Sequence, residues 1–369
     1  MKKDANINIG NNGNQNNIIY SQYEKRNPEE YIQKEYKGLP KDIANKKVAV
    51  IGSGSYGCAL SNIMSNNQNE VKIWSYSQYE KESINENHRC YQIPYRMNKD
   101  IYCTNSYEEA IRDTDYIFNV CPSSFVKKTC EDIRPYVNDQ KIVMASKGMD
   151  EDKVLSEVAK GILDREIYVI SGPSHAEQLF KGIPTHINYY GPDEIKALLE
   201  NNFLKLEKSD DPIGMQIGAS LKNIVAIGAG IVEGLGYESN TTSFYVTEGL
   251  KEIVEIGTSL GAKKETFYGL SGLGDLLTTA YSNDSRNKRC GLLFAKGKTI
   301  KEIKDEIGMT IEGLDALDSA HRVIKKRNLE CRLIENLYNV VNNNQDAKSL
   351  IDIRSDASAK KTLTLDLRA

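Results

Sequence analysis

Lys222 stands in a run of small and apolar residues, Ile217-Gly218-Ala219-Ser220-Leu221-Lys222-Asn223-Ile224-Val225. Burial disfavours an ammonium's charge, lowers its pKa toward neutrality and suits it to general acid–base work. The same lysine could instead snorkel from a half-buried helix, or only pair with a carboxylate; composition does not choose. Lys147, in Ser146-Lys147-Gly148, closes a strand-like run and could either pair with a phosphate or stand exposed in a loop. Asp275, in Gly272-Leu273-Gly274-Asp275-Leu276-Leu277-Thr278-Thr279, could orient an ammonium or cap a helix. Arg286, in Ser285-Arg286-Asn287, offers a two-pronged grip on phosphate. The stretch Arg286-Asn287-Lys288-Arg289 also reads as a plain basic surface. His175, in Ser171-Gly172-Pro173-Ser174-His175-Ala176-Glu177, titrates near neutral pH and suits acid–base work or the lining of a site.

Gly52-Ser53-Gly54-Ser55-Tyr56-Gly57 carries a second kind of chemistry. A glycine turn that leads into a helix points backbone N–H groups and the positive end of the helix dipole at an anion. Here the turn follows the β-branched run Val48-Ala49-Val50-Ile51 and precedes the helix-compatible Cys58-Ala59-Leu60. That context is the dinucleotide-binding arrangement, in which the three glycines serve the turn, the approach of the pyrophosphate and helix packing. The competing reading is a structural glycine turn in some other α/β protein. About twenty residues on, where an acid ordinarily holds the ribose 2′-hydroxyl, the chain reads Trp74-Ser75-Tyr76-Ser77. No acid there selects NAD and no arginine selects NADP, so either cofactor fits.

These groups need elements to hold them. Short apolar runs recur at residues 71–74, 115–120, 141–145 and 167–170, separated by helix-length segments, and 186–190 adds a further strand. Strand–helix alternation predicts an α/β fold with a Rossmann-like doubly wound parallel sheet. Near residue 210 the pattern turns helical, with helices expected over 213–232, 241–260, 315–326 and 332–341. The predicted organisation is an Asn-rich disordered extension over 1–45, a dinucleotide-binding domain over 46–210, an all-α substrate domain over 211–350 and a loose tail over 351–369.

Composition narrows the partners. Lys and Arg number 48 against 51 Asp and Glu, a formal charge of −3. That balance gives no electrostatic reason for nucleic acid or a membrane surface, and an anionic metabolite would need a local cluster of cations. No run is expected to reach the roughly 18 apolar residues of a membrane span, and the N-terminus lacks a signal peptide's apolar core. Seven cysteines without a CxxC spacing read as reduced thiols of a cytoplasmic protein, with no metal site.

Taken in order, these segments resemble the soluble, NAD(P)-dependent glycerol-3-phosphate dehydrogenases from about Lys47 to Val341. Leu221-Lys222-Asn223-Ile224, Gly272-Leu273-Gly274-Asp275 and Ser285-Arg286-Asn287 in series are the specific part; Tyr91-Gln92-Ile93-Pro94, Ser171-Gly172-Pro173-Ser174 and Glu312-Gly313 accompany them. The resemblance implies reversible hydride transfer between sn-glycerol 3-phosphate and dihydroxyacetone phosphate by a cytoplasmic homodimer serving glycerolipid supply or redox balance. It assigns proton transfer to Lys222, positioned by Asp275 and Asn223 with Thr279 close by. Lys147, Gly172, Ser174, Ser285, Arg286 and Asn287 fall on substrate positions. Ser55, Tyr56, Tyr76, Ala176, Thr310 and Glu312, with Lys147 and Arg286, fall on cofactor positions.

Some residues depart from the family pattern. Tyr76 replaces a frequent basic residue, His175 a frequent Phe and Tyr56 a frequent Trp. Gln216 and Glu248 stand where Glu and Arg are common, an exchange that could compensate across one contact. Two rivals remain: a related hydroxyacid or hydroxyacyl dehydrogenase, with His175 and Glu177 as its acid–base pair, and a non-catalytic dinucleotide sensor.

Overall fold

In the computed structural model of the chain, residues 45–351 are described. The Asn-rich stretch and the tail beyond 351 lie outside the described residues. The strands are β1 (Lys47–Ile51), β2 (Glu70–Trp74), β3 (Tyr102–Thr104), β4 (Tyr116–Asn119), β5 (Lys141–Met144), β6 (Met149–Asp150), β7 (Lys153–Val154), β8 (Ile167–Ser171), β9 (Thr185–Tyr190) and β10 (Leu204–Lys208). Eight form one sheet in the order β10-β9-β8-β5-β4-β1-β2-β3, while β6 and β7 pair as a small separate hairpin.

β1 shows why the sheet forms where it does. Val48 and Val50 pack into one apolar cluster, and Ala49 and Ile51 into another on the opposite face. A strand buried on both faces must be apolar throughout, which is the signature of a central parallel strand. It pairs in parallel with β2 and β4, setting Val50 beside both Ile73 and Phe118. The expected parallel sheet is amended at one joint, because β8 and β9 are antiparallel. β3 and β10 were not foreseen. Both are edge strands, where only one face need be apolar, and Leu204-Lys205-Leu206-Glu207-Lys208 alternates accordingly.

Helices α1 (Ser55–Asn66), α2 (Gln78–Asn87), α3 (Tyr107–Ile111), α4 (Ser123–Ile133), α5 (Leu155–Leu163), α6 (Ala176–Phe180) and α7 (Asp193–Leu199) connect the strands. The second half contains α8 (Pro212–Gly234), α9 (Ser239–Ser259), α10 (Asp275–Tyr281), α11 (Arg286–Ala295), α12 (Ile300–Ile307), α13 (Glu312–Arg327) and α14 (Arg332–Asn342), and its helices enclose a third apolar cluster. Asp211 starts α8. Its Oδ1 accepts from Gly214 N at 2.9 Å, and its Oδ2 accepts from Thr266 Oγ1 at 2.6 Å. The expectation that no segment has membrane-spanning length needs correcting here. α8 is 23 residues long with a mean hydropathy of 1.4 over its most apolar window, and that window is wholly buried by the rest of the fold. A helix surrounded by protein on all sides is apolar for the same reason as one surrounded by lipid.

Candidate active site

The glycine loop joins β1 to α1 at the carboxyl edge of the sheet. Gly52 has φ +123°, and a side chain there would also crowd the Val120 carbonyl at 3.0 Å. A Cβ on Gly57 would lie 2.0 Å from the Gly52 carbonyl, so helix and loop can meet only through glycine. Gly54 occupies the N-cap of α1 and no side chain caps the helix. Ser55 N–H instead donates to Gln92 Oε1 at 3.2 Å, showing that an acceptor oxygen is accommodated at that helix start. A helix N-terminus without its own side-chain cap, behind a glycine turn, fits a dinucleotide's pyrophosphate.

The charged groups converge from distant segments. Lys222 lies on α8 one turn beyond Gly218, where a Cβ would stand 2.4 Å from the Ser271 carbonyl. That close approach seats the π-helical turn Leu270–Gly274 against α8, and α10 begins directly after it with Asp275. Asp275 Oδ1 accepts from Lys222 Nζ, and its Oδ2 accepts from Lys147 Nζ at 3.0 Å. Lys222 Nζ also donates to Thr279 Oγ1 at 2.8 Å, one helical turn beyond Asp275. Lys147 reaches in from the end of β5 and donates to the Gly172 carbonyl at 3.2 Å. Ser174 Oγ lies 3.1 Å from the Tyr56 hydroxyl, tying the loop after β8 to the glycine loop.

Lys222 and Asp275 are 5% and 1% exposed, so their charges are felt nearly undiluted. Burial, helped by the charge of Lys147, pushes Lys222 down to about 7, against the opposing pull of Asp275. For Lys147 burial acts downward too, but Asp275 and Tyr56 outweigh it and hold the ammonium above the ordinary lysine value. Asp275 sits below the usual carboxylate range because both lysines overcome the effect of its burial. Two ammonium groups share one carboxylate, so the first proton to leave belongs to the coupled set, and the opposite directions of the two shifts favour Lys222 as the group that gives it up.

A second chain of hydrogen bonds runs alongside. Asn223 Nδ2 donates to Glu312 Oε2 at 3.3 Å, Asn287 Nδ2 donates to Asn223 Oδ1 at 2.9 Å, and Gly313 N donates to Asn287 Oδ1 at 2.9 Å. Asn223 therefore engages Asn287 and Glu312, not Lys222, and joins α8 to the starts of α11 and α13. Arg286, the first residue of α11, donates to the Thr310 carbonyl at 3.1 Å. Ser285 Oγ caps α11 by accepting from Lys288 N at 3.2 Å. Ala176 is buried at the start of α6, while Tyr76 is 90% exposed.

The remaining departures also find places. Gln216 binds Ser156 through backbone and side chain at 2.9 and 2.7 Å. Glu248 pairs with Lys251 at 2.6 Å on α9. The two do not form one contact, and the idea that they exchange charges across it fails. His175 lies beside the lysine cluster with its Nε2 buried and without a hydrogen-bond partner. Burial first, then the charges of Lys222 and Lys147, lower its pKa, so it stays neutral. Sequence reasoning missed Glu80 and Gln92, which the fold brings to the glycine loop. For Glu80 the only signal was its spacing from Ser77, which spells a helix cap; Gln92 stood in the motif Tyr91-Gln92-Ile93-Pro94 without a role.

Comparison with known proteins places this geometry. Residues 47–194 match the family model described as the N-terminus of NAD-dependent glycerol-3-phosphate dehydrogenase, and residues 211–352 match the model of its C-terminus. The chain is similar to the glycerol-3-phosphate dehydrogenase [NAD(P)+] of Clostridium botulinum (strain Alaska E43 / Type E3), with 35% identity over 316 residues, covering 83% of this chain and 96% of that one. The corresponding Brachyspira hyodysenteriae protein is 37% identical over 326 residues, covering 85% and 98%. Among solved structures, a glycerol-3-phosphate dehydrogenase from Coxiella burnetii superposes with a TM-score of 0.81 at 28% identity, covering 83% of this chain and 98% of that one.

Proposed function

The chain belongs to the NAD-dependent glycerol-3-phosphate dehydrogenase family, and from that premise we propose how its residues divide the work. The activity is reversible hydride transfer between NAD(P)(H) and sn-glycerol 3-phosphate or dihydroxyacetone phosphate. Bound nicotinamide supplies the hydride acceptor or donor. In oxidation, neutral Lys222 takes the proton of the C2 hydroxyl as that carbon gives up hydride. In reduction, protonated Lys222 returns it to the carbonyl oxygen. Asp275 and Thr279 hold the Lys222 nitrogen in place between turnovers. Lys147 keeps its proton and stabilises the negative charge that develops on the C2 oxygen.

Arg286 and the start of α11, with Asn287 and Ser285 beside it, hold the substrate phosphate, and Gly172 and Ser174 line the three-carbon chain. The loop Gly52–Gly57, with Ser55, Tyr56 and Ala176, holds the cofactor; Thr310 and Glu312 close over it and Tyr76 borders it. Residues 46–210 thus carry the dinucleotide loop and 211–350 the proton-transfer and phosphate-holding groups, with Gly172 and Ser174 crossing to the substrate and Thr310 and Glu312 to the cofactor. The working unit is a cytoplasmic homodimer acting on freely diffusing metabolites, independent of nucleic acid and membrane; sedimentation equilibrium tests the stoichiometry.

The observation that carries this reading is the buried Lys222 nitrogen held on the Asp275 carboxylate beside Lys147, with burial pushing its pKa down to about 7. The test is dihydroxyacetone phosphate-dependent loss of NADH or NADPH absorbance. The wild-type enzyme turns over, and Lys222→Ala does so more slowly by orders of magnitude. A Lys222→Ala variant with wild-type kcat, or a His175→Ala variant that alone is inactive, would overturn the assignment.

A further inference from the structure

In sheets of this kind an acid at the end of the second strand accepts from the 2′-hydroxyl of the adenosine ribose. β2 ends without one, yet the fold brings a carboxylate to the same edge from α2. Ser77 caps α2, its Oγ accepting from Glu80 N at 3.4 Å. A serine followed three residues later by glutamate ordinarily closes a capping box, the glutamate reaching back to the serine N–H. Here Ser77 N–H donates to Ser75 Oγ instead, at 3.1 Å. Glu80 is released from the cap and turns to the glycine loop. Its Oε2 accepts from Ser53 Oγ and, at 3.2 Å, from Ser75 Oγ. Its Oε1 accepts from Gln92 Nε2 at 2.9 Å. Gln92 Oε1 in turn accepts from Ser55 N, the first N–H of α1.

Ser53 belongs to the loop and Ser75 is the residue after β2; both are buried. Glu80 is thus pinned where β1 and β2 end, at the crevice in which the ribose is expected. A carboxylate offers about four acceptor positions, and these three neutral donors leave capacity for one more on a half-buried group.

We propose that Glu80 is the specificity residue for the cofactor: it accepts from a 2′-hydroxyl and repels a 2′-phosphate, so the site prefers NAD(H) to NADP(H). This rests on reading the glycine loop as the dinucleotide site. The chain's one tryptophan, Trp74, directly precedes Ser75 and reports on that crevice. NADH and NADPH are titrated separately into wild-type protein and Glu80→Gln, following Trp74 quenching and nicotinamide emission. Wild type binds NADH more tightly than NADPH by more than about tenfold, since like charges in contact are strongly unfavourable. Glu80→Gln narrows that ratio chiefly by tightening NADPH.

A Glu80 that only braces α2 against the loop would weaken both cofactors together and leave the ratio unchanged, which overturns the proposal; so does equal binding by wild type. A second arm needs no variant. Adenosine 5′-diphosphate displaces NADH from wild-type protein at lower concentration than its 2′-phosphorylated counterpart, and the reverse order contradicts the proposal. If neither nicotinamide cofactor binds, the reading of the loop falls and the inference with it.

Discussion

The loop Gly52–Gly57 presents backbone to its crevice, whereas the wall built by Lys147, Lys222 and Asp275 presents charged side chains drawn from three segments. In the loop the essential property is what is missing: a side chain at Gly52 or Gly57 would strike backbone carbonyls. Its polar groups are serines, a glutamine and one carboxylate, joined by hydrogen bonds at a half-open edge. In the wall the essential property is burial, since two cations and one carboxylate are enclosed with few neutral partners. On the proposed reading, one region orients an anion by geometry, and the other sets protonation by desolvation. Damage to each should therefore appear in a different kinetic constant.

The largest effect is expected at Lys222. Lys222→Ala should lower kcat by about 10²–10⁴-fold, the usual contribution of a positioned acid–base group. Its affinity for NADH, measured by nicotinamide fluorescence, should stay near wild type. Parallel collapse of both would erase the distinction between the two regions.

Asp275→Asn comes next. It leaves two buried lysines without their carboxylate, and removing one partner of a buried pair typically costs about 3–5 kcal/mol. Denaturant melts of the variant should show a loss of that size at acidic pH, where both lysines carry charge. Asp275 raises the Lys222 pKa, so removing it should move the midpoint of any remaining pH–rate profile below the wild-type value. A shift upward would mean that Asp275 does not hold the ammonium form.

The smallest effect should fall on the loop. Gly52→Ala forces a side chain onto φ +123° and against the Val120 carbonyl. Strain of about 1–3 kcal/mol is typical, and it should appear as weaker cofactor binding with kcat at saturating cofactor nearly unchanged. An equal fall in kcat would show that the loop also positions the reacting atoms.

The same contrast explains what could be read from sequence. The loop is local: strand, glycines and helix lie in one window, and each glycine has a backbone reason visible at that scale. The central strands followed from runs such as Val48–Ile51, which are apolar at every position because both faces are covered. The edge strands escaped because β3 is only three residues long and three of the five residues of β10 face solvent. Lys222 was conspicuous as a cation in an apolar helix, and the family resemblance named Asp275 and Thr279 beside it, but that Asp275 also binds Lys147, 128 residues away, was not legible. Their meeting depends on Gly218 admitting the turn before α10. The family resemblance set Asn223 beside Lys222, yet the two are adjacent on one helix and face different ways, and Asn223 turns to Asn287 and Glu312. Glu80 was invisible because its spacing from Ser77 spells a cap, and only the three-dimensional position of Ser75 diverts it.

The claim that Lys222 transfers the proton is tested most directly by the wild-type pH dependence of kcat/KM in both directions. Oxidation needs neutral Lys222 and reduction needs its ammonium. With Lys222 pushed down to about 7, oxidation should rise with pH and level off above that value, and reduction should fall through it. Profiles that share one direction, or that are flat between about pH 5.5 and 9, would contradict the assignment of Lys222 as the acid and base.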